Sequence, residues 1–415
     1  MTTAKPSRKA TTGSSRHPWR FPSHFRRGAF GWKGSRLAIE RIHEALTEIS
    51  GVARTDPIIA AEGAVRLIER LSPALEHIDS SSGAIGSAVN GAIAELVPLI
   101  AAALVEPKVR QKWLERLFVA HAEDQIPYIE WLTEFWGELC GSTELASCWA
   151  DQLLDITRLA LSPDRSLRGH YHGTSACLSS LYRAGRFAEL LGILATEKFW
   201  PDKRWAVKAL AAQGKIDEAI ALAEANRSRY TSDASIDRDC EEILLADGQA
   251  DRAYRAYGLS SQSSGTYLAT FRAVAKRYPS VAPARILGDL ISRSPGEEGK
   301  WFATAKELKL YDLALELARA GPCDPRTLIR AARDLAVREP EFAYAVGFAA
   351  LHWLSRGHGH EITSTDVWSA YTHTIRAADH LGLSDTAKAS VRELITGAPM
   401  GAFVSQVLRT ELGLA

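Results

Sequence analysis

The sequence predicts an all-α fold, an α-solenoid of helical hairpins. Apolar residues recur at helical spacing along the chain, as in the helix that we expect over 205–213. The first half contains no alternating, β-branched segment of the kind that forms strands. A glycine turn at Gly214 joins the 205–213 helix to a second short apolar helix. Two such helices cannot bury their apolar faces alone, so each hairpin must stack on its neighbours.

The second half of the chain repeats this helix–turn–helix pattern. Turns recur in the segments 181–194, 209–222, 243–257 and 303–318. The small or apolar residue that follows each turn is Leu190, Ala219, Ala253 or Ala314, at spacings of 29, 34 and 61 residues. The tetratricopeptide period is about 34 residues, and 61 is close to two units.

These hairpins resemble tetratricopeptide repeats. The residues on consensus positions are Gly214, Ala219, Gly248, Ala253, Tyr257 and Ala314. The small residue expected midway along the first helix is replaced by Val207 in one hairpin and by Glu241 in another. The resemblance implies a stack of helix pairs, and the two replacements predict looser packing.

The first half reads as paired helices, HEAT-like but without a clean repeat. Gly51 is expected to end the first helix. Asp56-Pro57 is expected to begin the next one, with Asp56 as the cap and proline at the first helical position. A further helix is expected over 126–139. We expect three regions: a basic tail at 1–35, disordered over Met1–Arg16, a helical region at 36–165, and a tetratricopeptide-like region at 166–415.

The bulk composition favours a reducing compartment, with the cytoplasm as the simplest localisation and a mitochondrial presequence at the basic N-terminus as the alternative. The net charge is +1, yet residues 1–36 contain nine lysines and arginines and no acid. Five scattered cysteines with no CxxC pair argue against a disulfide framework or a structural zinc site. We see no apolar run that approaches the roughly 20 residues of a membrane helix. We therefore expect no membrane contact, and we predict neither a cofactor nor a metal.

The tail interleaves aromatic and basic side chains. The predicted partner-binding residues share this pattern: Trp19, Arg20, Phe21, Phe25, Arg26, Arg27, Trp32 and Lys33. We expect the rings to dock on the domain with the cations outward. Contact with phosphates and bases of nucleic acid is the alternative, and an unspecified partner site is a third.

A serine-rich turn precedes one helix and is a candidate anion site. It consists of Asp79, Ser80, Ser81, Ser82 and Gly83. Exposed N–H groups at a helix start favour an anion. Ordinary capping of the helix by Asp79 or a serine is the interpretation that we favour.

Other polar clusters are read as structural. His358 and His360, like His170 and His172, lack the spacing that places two imidazoles on one helix face. The adjacent Glu297, Glu298 and Lys300 fit a loop–helix junction better than an acid–base pair. Tryptophans with Asp151 raise the alternative of a helical-repeat DNA glycosylase, against ordinary core packing: Trp113, Trp131, Trp136 and Trp149.

Four segments resemble those of a bacterial family of all-helical proteins with no assigned activity. They are FRRGAFGWKGS (25–35), HIDSSSGAIG (77–86), GEEGKWF (296–302) and CDPRTL (323–328). The resemblance covers nearly the whole chain after residue 20 and implies the fold and a bacterial origin. It implies no function.

Stacked hairpins form a groove that typically binds a peptide or helix. We therefore expect a non-enzymatic interaction scaffold that binds another protein or peptide, with Arg204, Lys208 and Lys306 as candidate groove residues. Nucleic-acid binding through the tail is the first alternative. An enzyme that uses the 79–83 turn as an anion site is the second.

Overall fold

Helices form the whole of the regular structure in the described part of the chain, with 21 α-helices and no strand. The structure is a computed structural model, and it describes residues 17–164, 166–229, 231–262, 265–397 and 403–413. The predicted disorder of Met1–Arg16 lies outside these residues. Helices pack against their neighbours in sequence order, which confirms the predicted all-α helical-repeat fold.

The chain divides into two compact units, Met1–Thr231 and Ser232–Ala415. This division falls within the region that the sequence assigns to tetratricopeptide-like repeats, rather than at residue 165. The helices of the first unit are α1 (Ser35–Ala53), α2 (Pro57–Leu75), α3 (Ala84–Ala102), α4 (Pro107–Ala122), α5 (Trp136–Cys140), α6 (Thr143–Ala160), α7 (Thr174–Arg183), α8 (Phe187–Ile193), α9 (Trp200–Ala212) and α10 (Ile216–Ala225).

The second unit begins with α11 and continues the pattern of short antiparallel helices. Its helices are α11 (Asp233–Ala246), α12 (Ala250–Ala253), α13 (Tyr267–Arg277), α14 (Pro283–Ser292), α15 (Phe302–Glu307), α16 (Tyr311–Ala320), α17 (Pro325–Leu335), α18 (Pro340–Ser355), α19 (Ser364–Asp379), α20 (Ser384–Thr396) and α21 (Phe403–Leu408). Helix α12 runs directly into a π-helical turn, Tyr254–Gly258.

Some predicted helix boundaries are confirmed and others are wrong. The Asp56 carboxylate accepts hydrogen bonds from the N–H groups of Ile58 and Ile59 at the start of α2, as the cap requires. Gly51 does not end α1, which continues to Ala53, because glycine weakens a helix without forcing it to stop. The predicted helix over 126–139 is replaced by a 3₁₀ helix, Glu130–Phe135, that leads into α5.

The repeated turns share one hydrogen-bonding scheme. In each, a residue in the left-handed conformation follows the helix, and the next N–H donates to the carbonyl five residues back, which is the Schellman arrangement. Residues 185, 214, 248, 309, 357 and 382 occupy the left-handed position. The first four belong to the hairpins that the sequence shows openly. Residues 357 and 382 extend the scheme to α18 and α19.

Glu241 shows why one repeat departs from the tetratricopeptide pattern. Its side chain stands where a small residue is expected, and it is fully buried in α11. The carboxylate accepts hydrogen bonds from the hydroxyl of Ser261 at 2.8 Å, the amide of Gln262 at 2.9 Å and the hydroxyl of Tyr278. A hydrogen-bonded network therefore fills this position, in place of the looser packing that the sequence predicts.

Helix α3 corrects the expectation that no apolar run approaches the length of a membrane span. By length and composition alone its 19 residues could cross a membrane, with a mean hydropathy of 1.6. Asn90 and Glu95 interrupt the run, which hides it from inspection of the sequence. The core of the first unit contains Ile85, Val89 and Ile93 from this helix, and core helices meet the same criterion.

Candidate functional site

The tail docks on the first unit through its phenylalanines. Phe21, Phe25 and Phe30 are 2%, 1% and 4% exposed and belong to the hydrophobic core. The ring of Trp19 lies on Gly63 of α2, where no side chain intervenes. Burial of these rings is worth about 1.5–3 kcal/mol for each phenylalanine relative to exposure. Segment 17–34 is therefore part of the fold.

Backbone hydrogen bonds fix the docked tail. The N–H groups of Arg20 and Phe21 donate to the Glu48 carboxylate at 2.8 and 3.2 Å. The N–H of Gly28 donates to the carbonyl of Pro73 at 2.9 Å. These contacts confirm the docking interpretation of the tail. The sequence predicts Phe21 and Phe25 as partner-binding residues. In the structure both rings face the core, so they are not available to a partner.

The remaining tail residues form an exposed surface. Arg20, Arg26, Arg27 and Lys33 are all exposed, and so is Trp32 at 66%. Arg27 forms an ion pair with Glu76 at 3.1 Å. No carboxylate of the described residues pairs with the side chain of Arg20, Arg26 or Lys33. Of the predicted partner-binding residues, the exposed ones are therefore the four cations and the indole of Trp32.

The exposed indole lies beside the serine-rich turn. The N–H of Asp79 donates to the carbonyl of Trp32 at 3.0 Å, and the hydroxyl of Ser35 donates to the carbonyl of Asp79 at 2.9 Å. The two segments enclose an open cavity of about 610 Å³ that we call the Trp32 groove. Its lining residues are Trp32, Glu76, His77, Ile78, Asp79, Ser80, Ser81 and Ile126.

The groove unites two segments that the sequence singled out separately, 25–35 and 77–86. Gly28, at φ +62°, brings the tail so close that a Cβ there would lie 3.4 Å from both Glu76 and His77. Sequence reasoning missed Glu76, His77 and Ile126 as groove residues. Ile126 is the clearest case, because it reaches the groove only through the packing of the loop after α4.

The hydrogen bonds of the 79–83 turn disfavour the predicted anion site. The N–H of Ser81 donates to the Asp79 carboxylate at 3.0 Å, that of Gly83 to the carbonyl of Ser80, and that of Ala84 to the hydroxyl of Ser82. An anion site needs free N–H donors, and here these donors are already used. The Asp79 carboxylate adds negative charge, and the backbone N–H of Ser81 lowers its pKa.

The three cations predicted for the solenoid groove do not share one unit. Arg204, in the first unit, forms an ion pair with Glu134 at 3.1 Å, with both side chains largely buried. Lys208 of the same helix lies over the ring of Trp205, 4.6 Å from the centroid. Lys306 belongs to the second unit. Arg204 and Lys208 thus already have partners within the first unit.

The remaining polar clusters take structural roles. Among the described residues, no group of three or more His, Cys, Asp or Glu side chains is arranged to hold a metal ion. His360 and its neighbour Glu361 form an exposed pair at 3.8 Å. Lys300 pairs with Glu297 at 2.5 Å, and Tyr267 donates to the same carboxylate. This fits the predicted loop–helix junction.

Three of the four tryptophans considered for a base-binding site pack in the core of the first unit. Trp136 and Trp149 contact each other edge to face at 5.2 Å, and both contact Phe118. Trp113 is buried as well, whereas Trp131 is partly exposed beside Phe135. Asp151 forms an ion pair with Arg186 at 2.5 Å. Core packing therefore accounts for Trp113, Trp136 and Trp149.

A cluster of carboxylates that sequence reasoning also missed lies at the start of α9. Burial, together with the nearby Glu197 and Glu134 and against the opposing charge of Arg168, raises the pKa of Asp202 to about 6. Glu197 is held by the N–H groups of residues 198 and 199 and by Arg168. Glu134 lies in the 3₁₀ helix, Glu197 in a loop and Asp202 in the first turn of α9, so no local sequence pattern indicates the cluster.

The fold and the groove define the class of protein: an all-α helical-repeat protein with an open groove on its first unit. No protein-family model, curated protein or solved structure matches the chain. The resemblance to a bacterial helical family stays a prediction.

Proposed function

We propose that the protein is a non-enzymatic interaction protein of the bacterial cytoplasm, and that the Trp32 groove binds a segment of a partner protein. The observation that carries the proposal is the contrast within the tail. Phe21, Phe25 and Phe30 are buried, whereas Trp32 stands 66% exposed at a cavity of about 610 Å³. Exposed tryptophans at a concave surface are typical anchors of protein interfaces.

The two carboxylates of the groove, Glu76 and Asp79, support binding rather than acid–base catalysis. General acid–base catalysis needs a group whose pKa lies near the working pH. The hydrogen bond from Ser81 lowers the pKa of Asp79, so this carboxylate stays ionised at neutral pH. Glu76 is paired with Arg27. These two carboxylates are suited to holding a partner in place.

Nucleic-acid binding through the tail is the second candidate, and a specific observation favours it. Arg20, Arg26 and Lys33 are exposed without an ion-pair partner among the described residues, and Trp32 offers a ring for base stacking. Residues 1–16 add four further lysines and arginines in the sequence. This candidate requires an affinity that falls steeply with salt concentration.

The test uses the full chain, because removal of the tail would expose the core that Phe21, Phe25 and Phe30 cover. A photo-crosslinking amino acid at position 80 captures partners in a bacterial lysate, and each captured protein is purified and its affinity measured. We expect Trp32→Ala to weaken binding about tenfold or more. Trp131→Ala, which removes a partly exposed tryptophan elsewhere, is the matched control and leaves the affinity unchanged.

Equal affinity of the wild-type chain and the Trp32→Ala variant would refute the groove as the contact site. The nucleic-acid candidate is tested in parallel with a fluorescent 20-nucleotide single strand. Salt-dependent binding that Arg20→Ala/Arg26→Ala/Lys33→Ala abolishes, without any Trp32-dependent protein partner, would place nucleic-acid binding first.

A further inference from the structure

We infer that the Trp32 groove recognises a lysine or arginine side chain on an extended segment of the partner protein. The inference rests on the proposed function and names the chemistry that the groove selects. It follows from the charges that line the groove, from whether each carboxylate already has an ion-pair partner, and from the position of the exposed indole.

The lining of the groove is acidic. Its polar groups are two carboxylates, Glu76 and Asp79, the imidazole of His77 and the hydroxyls of Ser80 and Ser81, with neither a lysine nor an arginine. A partner group that enters such a cavity loses water and must find opposite charge or hydrogen-bond acceptors. A cation meets both requirements, whereas an anion meets repulsion. Charge complementarity therefore selects a cationic occupant.

The two carboxylates are not equivalent. Glu76 accepts a hydrogen bond from the guanidinium of Arg27 at 3.1 Å, so its charge is already compensated. Asp79 forms no ion pair with any described residue, and its carboxylate is held in place by the N–H of Ser81 at 3.0 Å. Asp79 thus offers a fixed, ionised and uncompensated charge to an incoming cation.

Trp32 supplies the second half of the recognition. Its backbone carbonyl accepts a hydrogen bond from the N–H of Asp79 at 3.0 Å, so the two backbone positions that carry the indole and the carboxylate are joined directly. A lysine or arginine placed over an indole gains about 0.5–2 kcal/mol from the cation–π interaction. The aliphatic stem of that side chain would pack on Ile78 and Ile126, which also line the groove.

The test is a selection of random 12-residue peptides displayed on phage against the full-length protein. Peptides that fail to bind the Trp32→Ala variant define the groove. We expect a lysine or arginine to be enriched at one position of these peptides. In the strongest of them, replacement of that residue by norleucine should weaken binding about tenfold or more.

A charge-neutral variant isolates Asp79. In Asp79→Asn the side-chain oxygen still accepts from Ser81, so the turn is kept and only the charge is lost; we expect about a tenfold loss of affinity. Asp164→Asn is the matched control, because Asp164 makes the same turn with Ser166 at 2.9 Å on an exposed loop. It should bind as the wild type does.

The outcomes separate the two levels of the proposal. Trp32-dependent peptides without a preferred cation, or an Asp79→Asn variant of unchanged affinity, would overturn the inference and leave the proposed function standing. A selection that yields no Trp32-dependent peptide would overturn both.

Discussion

Lys309 adopts the backbone conformation that Gly214 adopts in the equivalent turn: φ is +57° at Lys309 and +77° at Gly214. In both turns the following N–H donates to the carbonyl five residues back at 3.0 Å. The same hydrogen bonds thus close both turns. Glycine at position 214 suits the left-handed conformation, whereas the side chain of Lys309 makes it strained there.

Replacement of Lys309 by glycine should stabilise the protein. The left-handed conformation costs a residue with a Cβ about 1–2 kcal/mol, and glycine avoids this cost. Part of the gain is lost, because glycine also makes the unfolded chain more flexible and so more favourable. We expect Lys309→Gly to raise the free energy of unfolding by about 0.5–1 kcal/mol, measured by urea denaturation.

Gly214→Ala provides the reverse experiment. A Cβ at Gly214 would meet no atom within 4 Å, so the substitution tests the backbone alone. We expect a loss of about 1 kcal/mol or more. A stabilised Gly214→Ala variant would contradict the assigned turn.

The contact between Trp19 and Gly63 predicts how the tail can be loosened. A Cβ at Gly63 would lie 2.7 Å from Cη2 of Trp19, so the indole must move away from α2. We expect Gly63→Ala to destabilise the protein by about 1–3 kcal/mol and to speed trypsin cleavage after Arg20 and Arg26. Both effects are measured on the full chain.

The control is Gly51→Ala, an exposed helical glycine of α1 with no atom within 4 Å of the new Cβ. It should stabilise α1 by about 0.5–1 kcal/mol and leave the cleavage rate of the tail unchanged. Faster cleavage in both variants would show that the Trp19 contact does not hold the tail.

The hydrogen-bonded network at Glu241 predicts coupled substitutions. Glu241→Ala removes the acceptor of Tyr278 and Ser261 in a buried site, and we expect a loss of about 2–4 kcal/mol. Glu242→Ala changes the exposed neighbour and should stay within about 0.5 kcal/mol of the wild type.

Tyr278→Phe completes a double-mutant cycle with Glu241→Ala. Once the carboxylate is gone, removal of the tyrosine hydroxyl should cost less than it does in the wild type, with a coupling of about 0.5–3 kcal/mol. Strict additivity of the two free-energy changes would show that the two groups do not interact.

The parts of the fold that local sequence controls could be predicted. The turns at Gly185, Gly214, Gly248 and Lys309 are closed by hydrogen bonds within a few residues, so their pattern is visible in the sequence. The capping of α2 by Asp56 is local for the same reason.

The groove could not be predicted, because it depends on tertiary packing. Phe25 and Trp32 are each followed directly by a cation, yet Phe25 is buried and Trp32 is exposed. Which ring stays outside is decided by the shape of the surface formed by α1 and α2. Ile126 likewise reaches the groove from a distant loop, and no spacing in the sequence indicates that position.

Asp202 predicts a dependence of stability on pH. Burial, with Glu197 and Glu134 nearby, raises its pKa from 3.8 to about 6 in the folded protein. A raised carboxyl pKa means that folding disfavours the ionised form. The penalty is absent below the unfolded pKa of 3.8, grows as the pH rises, and is complete above about 6.

Asp202→Asn removes this penalty. At pH 8 the variant should be more stable than the wild type by up to about 3 kcal/mol, and the gain should vanish as the pH falls toward 4. Glu144→Gln is the control of opposite sign, because hydrogen bonds at the start of α6 lower the pKa of Glu144 and make its ionised form stabilising. It should lose stability at pH 8. Free energies of unfolding from urea titrations at several pH values measure both variants, and a pH-independent difference for Asp202→Asn would contradict a raised pKa.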